Sequence, residues 1–238
     1  MAEPTIIRGS DHFFTTTYEG NGLGRKVGNF VPFTDNGTIA KSCMFDDGDT
    51  PTLSRTIGTA SSTTTFTVSC WVKRGVSGVL RGIWSREGAN DNNELRLYFD
   101  SSDRLNWSYY PNGDTAKLTT NRTFEDKSKW YHIVAVSDTT NATEASRWRL
   151  YVDGSEVSDY ATATYPSQST SIALFSSGSY SEYIGRARSV STTSIDGYLA
   201  EFNIVDGSAL TPSTFGLTDT STGRWIPKSL TGLVYGTN

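Results

Sequence analysis

The 238 residues predict an all-β chain, an antiparallel two-sheet sandwich preceded by an extended N-terminal arm. Three observations carry this. Short runs alternate apolar and polar residues with period two, the pattern of half-buried strands. Ser and Thr make up 63 of the residues and 29 are aromatic, which suits strands and turns and excludes a disordered chain. Helical periodicity is almost absent: the best stretch, 143–150, runs straight into Leu150-Tyr151-Val152-Asp153-Gly154, a strand and turn.

Residues 1–41 come first. Gly20, Gly22, Gly24, Gly28 and Gly37 space out Ile6, Ile7, Phe13, Phe14, Phe30 and Phe33 without any sustained period. The apolar residues predict an arm that docks on something rather than a loose terminus. From residue 42 the strands follow one another. Phe66, Val68, Cys70 and Val72 share one face, then Leu95, Leu97 and Phe99, then Leu105, Trp107 and Tyr109. Residues 130–136 (WYHIVAV) are apolar on both faces and predict a central strand. Trp148, Leu150 and Val152 alternate next, and Asp153-Gly154 predicts a hairpin turn. Tyr198, Ala200, Phe202 and Ile204 are read as the closing buried set. One short helical turn is expected at 211–216, with Thr211 as cap, Pro212 in the first position and Gly216 as terminator. Ser-, Thr-, Gly- and Asn-rich links join the strands without helical crossovers, so pairing is expected to be antiparallel.

Several function classes are excluded. No apolar run reaches the roughly 18–20 residues of a membrane span, and the opening MAEPTIIRGSDHFF lacks the pattern of a secretory signal, so no membrane partner is expected. A net charge of −4 argues against nucleic acid. Two Cys and two distant His, His12 and His132, make a Cys- or His-based metal centre untenable. No phosphate-binding Gly loop precedes a helix. His132 sits between Tyr131 and Ile133 and reads as a hydrogen-bonded core histidine rather than a catalytic base. No catalytic residue is assigned.

The order of the segments resembles a laminin-G-like, concanavalin-A-like jelly roll. The likeness is carried by residues 42–49 (SCMFDDGD), 53–56 (LSRT), 66–75 (FTVSCWVKRG), 130–136, 150–154, 183–185 and 196–202 (DGYLAEF). Residues 204–216 (IVDGSALTPSTFG), 223–228 (GRWIPK) and 231–238 (TGLVYGTN) resemble, more narrowly, a version found in structural proteins of bacteriophages, marine ones especially. The resemblance spans residues 42–238 and gives two parts, the arm 1–41 and the jelly roll. In that family the YGTN run leads into another apolar strand, so either this chain is a fragment of a longer protein or a last strand is expected to be missing or supplied by another chain. An uncovered edge would template aggregation.

The resemblance implies a non-enzymatic virion protein on the particle surface. It would be a tail- or head-fibre appendage attached through its arm, or alternatively a capsid decoration protein, with other virion proteins, copies of itself and a host-surface glycan as partners. A free carbohydrate-binding module or adhesin is the further alternative. Since this jelly roll also serves glucanases, glycoside hydrolysis is the competing activity. The Glu-x-Asp-x-x-Glu strand face that such enzymes use to flank the bond is missing, and Glu201 has only Leu199 and Asn203 beside it. In a reducing cytoplasm, where phage proteins assemble, Cys43 and Cys70 are expected to be buried thiols. Related modules often hold calcium at a sandwich rim, and Asp46, Asp47 and Asp49 with Asp91 and Glu94 supply hard oxygen ligands. Asp and Asn also populate turns for their own backbone hydrogen bonding, and that reading is favoured, so no cofactor is expected, calcium being the one alternative. Finally, Trp71, Arg96, Tyr98, Tyr110, Arg149 and Tyr151 should point away from the core. Such a face would take a glycan or another chain, or be covered by loops or the arm.

Overall fold

The computed structural model describes residues 18–19, 26–27, 39, 41–88, 93–111, 116–172, 180–187 and 191–237. Two compact units divide the chain, Met1–Thr38 and Ile39–Asn238. In the first, β1 (Tyr18–Glu19) pairs antiparallel with β2 (Lys26–Val27). The rest of the predicted arm lies outside the described residues.

The second unit is built from β3 (Cys43–Phe45), β4 (Leu53–Thr56), β5 (Thr65–Arg74), β6 (Arg81–Glu87), β7 (Asn93–Phe99), β8 (Arg104–Pro111), β9 (Ala116–Thr123) and β10 (Tyr131–Asp138). There follow β11 (Trp148–Val152), β12 (Ser155–Glu156), β13 (Tyr160–Thr164), β14 (Ser181–Ile184), β15 (Gly197–Asp206), β16 (Gly216–Thr218) and β17 (Trp225–Pro227). They form a six-stranded sheet, β12-β11-β10-β5-β15-β3, a seven-stranded sheet, β13-β9-β8-β7-β6-β14-β4, and the small pair β16-β17. Every pairing is antiparallel, as the missing crossovers predict. The described residues include no α-helix, only short 3₁₀ turns.

Alternation decides what goes inside. Phe66, Val68, Cys70 and Val72 from β5, with Ile133, Ala135 and Leu150, meet Leu95, Leu97, Phe99, Leu105, Trp107 and Leu118 from the other sheet in one core. Each such side chain contributes about 1.5–3 kcal/mol on full burial. At the centre the Trp107 and Trp148 rings stack across the sheets with centroids 3.9 Å apart, and Phe66 meets Trp107 edge-on. β10 is buried along nearly its whole length between β5 and β11. At the β11–β12 turn, Asp153 and Gly154 both take positive φ, as a two-residue hairpin requires.

The core also holds charge. Glu182 on β14 receives Trp84 Nε1–H at 2.9 Å and Arg86 Nε–H at 2.8 Å, and pairs with Arg55. Arg86 is fully buried, and desolvation lowers its pKa against the raising effect of Glu182. At one end of the sandwich the buried Arg74 donates to Asp103 Oδ1 and to the Phe124 carbonyl, each at 2.6 Å, tying β5 to the turn before β8.

Three expectations need correction. β15 carries a bulge between Ala200 and Asn203, with Glu201 at φ 45°. The extra residue reverses parity, so Leu199 lies in the core ahead of the bulge and Phe202 and Ile204 pack on it behind. Tyr198 and Ala200 are therefore outside the main core, and Tyr198 is exposed. Cys43 is exposed, because β3 is a sheet edge; only Cys70 is a buried thiol, its pKa pushed up to about 12 by burial. The turn at Pro212–Thr214 is there, but the Thr211 hydroxyl bonds Ser213 Oγ rather than the helix end, and Gly216 opens β16.

Candidate functional site

The six outward residues do not share a face. Trp71, Arg149 and Tyr151 belong to the six-stranded sheet, Arg96, Tyr98 and Tyr110 to the seven-stranded one. These are opposite outer surfaces of the sandwich. Alternation separates inward from outward within one strand but does not say to which sheet a strand belongs.

The outer surface of the six-stranded sheet is closed by the chain itself. Phe215 is buried with Val134, Val136, Tyr151 and Val205 in a second apolar cluster, on which Leu210, Leu230 and Leu233 pack. Thr67 Oγ1 donates to the Ser208 carbonyl and accepts from Leu210 N–H. Tyr235 caps the far end, its hydroxyl donating to Asn203 Oδ1 at 2.8 Å. Trp225 on β17 donates its indole N–H to His132 Nδ1 at 2.9 Å, and Trp71 stacks on the same imidazole at 4.8 Å. A Cβ on Gly154 or Gly216 would meet the Trp225 ring at 2.6 Å, so both glycines make room for it. Trp71 and Tyr151 are thus left only 5% and 6% exposed, and residues 208–237, largely loop, supply a cover, as one of the sequence expectations has it. His132 is the hydrogen-bonded buried histidine the sequence predicts, with burial lowering its pKa to about 3.

The outer surface of the seven-stranded sheet is different in kind. Register lines up three rows across it. One runs Lys117, Ser108, Arg96, Ser85, Tyr183; the next Thr119, Asn106, Tyr98, Gly82; the third Tyr110, Glu94, Glu87, Ser181. Residues directly opposite are close enough to act together. Arg96 pairs with Glu94 at 3.1 Å and lies over the Tyr98 ring at 5.2 Å. Thr119 donates to Asn106 Oδ1 at 2.6 Å, and Asn106 donates to the Arg104 carbonyl. Glu87 accepts from Ser85 Oγ. The strip is recessed: Ser85, Asn106 and Ser108 are buried and Arg96 and Tyr110 half-buried. Buried polar groups are costly unless bonded, and here the strip bonds itself. Ser108 Oγ has no hydrogen-bond partner among the described residues, and Arg96 Nε meets Glu94 as an ion pair without a hydrogen bond. Pre-set donors and acceptors beside tyrosine rings suit a polyhydroxylated ligand with C–H faces. Glu87, opposite Glu94, escaped the sequence reading, because the Arg81–Glu87 segment shows no clean alternation.

Among the described residues the proposed calcium ligands do not converge. Asp46 accepts Gly48 N–H within its own turn and Asp47 pairs with Arg81. Asp91 lies outside the described residues, and Glu94 is engaged with Arg96. No group of three acidic, His or Cys side chains placed to hold a metal occurs among the described residues. A cleft of about 330 Å³ opens elsewhere, between the sheet edges β3 and β4. Leu53, Phe45, Ile184, Leu199 and Phe202 line it, together with Lys41, Ser42 and Glu201. Among the described residues no helix is long and apolar enough to cross a membrane.

Residues 46–214 match the sequence profile of the concanavalin A-like lectin/glucanases superfamily. The fold is similar to that of laminin-G domains 4–5 of the mouse laminin α1 chain, with 18% identity and a TM-score of 0.50 over 84% of this chain and 48% of that one. It is also similar to a heptameric SAP-like pentraxin from Limulus polyphemus (20% identity, TM-score 0.48, 68% of this chain and 71% of that one). A third similar structure is the CBM40 module of a Ruminococcus gnavus sialidase bound to α2,3-sialyllactose (10% identity, TM-score 0.46, 69% and 95%). No curated protein sequence matches the chain. The profile match over more than half of the residues, on a sandwich whose two sheets close around one aromatic core, makes this chain a member of the concanavalin A-like lectin/glucanases superfamily.

Proposed function

We propose that this protein is a non-enzymatic binding module of a bacteriophage particle. On this reading it is a surface appendage of tail or head, held through residues 1–41 and presenting the outer face of its seven-stranded sheet to a host-surface glycan. The observation that carries the binding face is the contrast between the two outer surfaces. One is sealed by the chain's own C-terminal segment. The other keeps a recessed, pre-bonded polar strip whose buried Ser108 Oγ has no hydrogen-bond partner among the described residues. The virion setting rests on the resemblance of residues 204–216, 223–228 and 231–238 to phage structural proteins, the same runs that here form the cover. Many copies on one particle would turn weak contacts into firm attachment.

Two measurements test this. A glycan array probed with the full chain is expected to give binding that Arg96→Ala and Asn106→Ala reduce at least tenfold, about 1.4 kcal/mol. Binding unchanged in both variants would remove the strip from the reading. Deleting residues 1–41 is expected to abolish incorporation into particles, because a Gly-spaced apolar arm gains stability only on a partner's surface; unchanged occupancy would reject the attachment role.

The Glu87–Glu94 opposition favours one second reading, glycoside hydrolysis between two carboxylates. Glu94 is committed to Arg96, which favours binding over turnover. Hydrolysis of a bound glycan that Glu87→Gln abolishes would establish the second reading instead.

A further inference from the structure

We propose that His132 is an acid-released latch: a proton taken from solvent onto its Nδ1 breaks the bond to Trp225 and lets residues 208–237 lift off the six-stranded sheet. The geometry allows one neutral ring state. An indole N–H only donates, so Nδ1 must be the bare acceptor. The ring proton then sits on Nε2 and points at Ser69 Oγ, 3.0 Å away. A second proton would set N–H against N–H across 2.9 Å, in a site where the imidazole has no exposure to water. Neither ring nitrogen has a carboxylate partner to offset that charge.

The charged groups on the surrounding elements do not help it. Lys73 on β5 and Arg149 on β11 are cations on the same face. Asp153, at the end of β11, spends Oδ1 on the His132 backbone N–H and Oδ2 on Lys129. Glu201 at the β15 bulge is exposed. On the covering segment, Asp219 bonds Ser221 and Thr222, Lys228 donates to the Ser213 carbonyl, and Arg224 adds a further cation beside Trp225.

The latch yields before the sandwich because the two apolar clusters are separate. The covering segment contributes Phe215 to the small cluster of Val134, Val136, Tyr151 and Val205, while the stacked Trp107 and Trp148 belong to the large one. Once the cover lifts, the imidazole reaches water and regains an ordinary affinity for protons. The closed ring has a pKa near 3 and the ordinary value is 6.5. Between those limits the opening equilibrium gains about tenfold for each unit of pH lost. Above pH 6.5 the latch stays shut. Opening uncovers Trp71, Val134, Val136 and Tyr151.

The test is a pH titration of the full chain by NMR from 7.5 to 3.5. The Trp225 indole N–H resonance and the amide protection of β16 and β17 are expected to be lost together while β7 and β8 stay protected. His132→Asn keeps an acceptor near the Nδ1 position without a titrating group, and is expected to hold the cover shut to lower pH. Loss of all protection at a single pH, or opening of His132→Asn at the wild-type pH, overturns the proposal. If His132→Asn does not fold, the imidazole resonances of the wild type decide: a ring that stays neutral while the cover leaves overturns it, and a ring that charges in step supports it.

Discussion

Replacing Glu182 with alanine is expected to lower the stability of the jelly roll by about 3–5 kcal/mol, the usual cost of removing one partner from a buried ion pair. The carboxylate serves three donors at once, and Arg86 is held in the core beside it. Without Glu182 the guanidinium keeps its full desolvation cost and loses its nearest anion. Trp84 Nε1–H loses its acceptor as well, a further cost of about 1–3 kcal/mol for a buried donor. The Arg55 bond matters least, because that side chain is 47% exposed and solvent screens it. Urea unfolding checks this, with the midpoint falling and the slope unchanged. The double variant Arg86→Met, Glu182→Leu should recover most of the loss, since an apolar pair of similar volume carries no desolvation cost. If Glu182→Ala alone moves the midpoint by less than the equivalent of about 1 kcal/mol, the charge cluster is not what organises that edge of the core.

Trp107→Ala is expected to cost a similar amount, about 3–5 kcal/mol, for a different reason. Its ring is fully buried at the midpoint between the sheets and stacks on Trp148 at 3.9 Å with the planes 7° apart. Removing it leaves a void that Phe66 and Trp148 border, and rigid antiparallel strands collapse into such a void only in part. Trp107→Phe discriminates packing from polarity. The Trp107 indole N–H has no hydrogen-bond partner among the described residues, so phenylalanine gives up area but no bond. The Trp148 indole donates to Ser137 Oγ at 3.2 Å, so Trp148→Phe should be the more costly of the two conservative changes. Thermal unfolding of the three variants orders them, and an equal cost for the two phenylalanine variants would assign no value to the Ser137 bond.

The inward sets of β5, β7, β8 and β11 were legible because each of these strands has one apolar row facing one core, and period two cannot hide that. Three kinds of information were not. β9 and β13 are Thr- and Ala-rich, and their place in the sheet comes from neighbours rather than from their own hydrophobicity. Glu182 and Arg86 occupy inward positions that a hydrophobic pattern marks as outward, because the pattern cannot register a charge neutralised by a residue nearly a hundred positions away. Trp71 and Tyr151 look from the sequence like a free aromatic face because nothing local tells that residues 208–237 fold back over them. For the candidate site, Arg96, Tyr98 and Tyr110 were found by parity, while their row partners Ser85, Ser108 and Asn106 needed the strand registers.

The double-sided burial of β10 leaves a question of alignment that its neighbours answer. Shifting this strand by one position would exchange Ile133 and Ala135 for Val134 and Val136, one aliphatic row for another, with little change in burial. Hydrophobicity therefore cannot hold it in place. Two buried polar side chains within the strand can. His132 fits only between Ser69 and Trp225, and Ser137 only where it accepts from Trp148 and donates to the Thr64 carbonyl. Placed near opposite ends, they act like the notches of a key, and a misaligned β10 would strand both in oil.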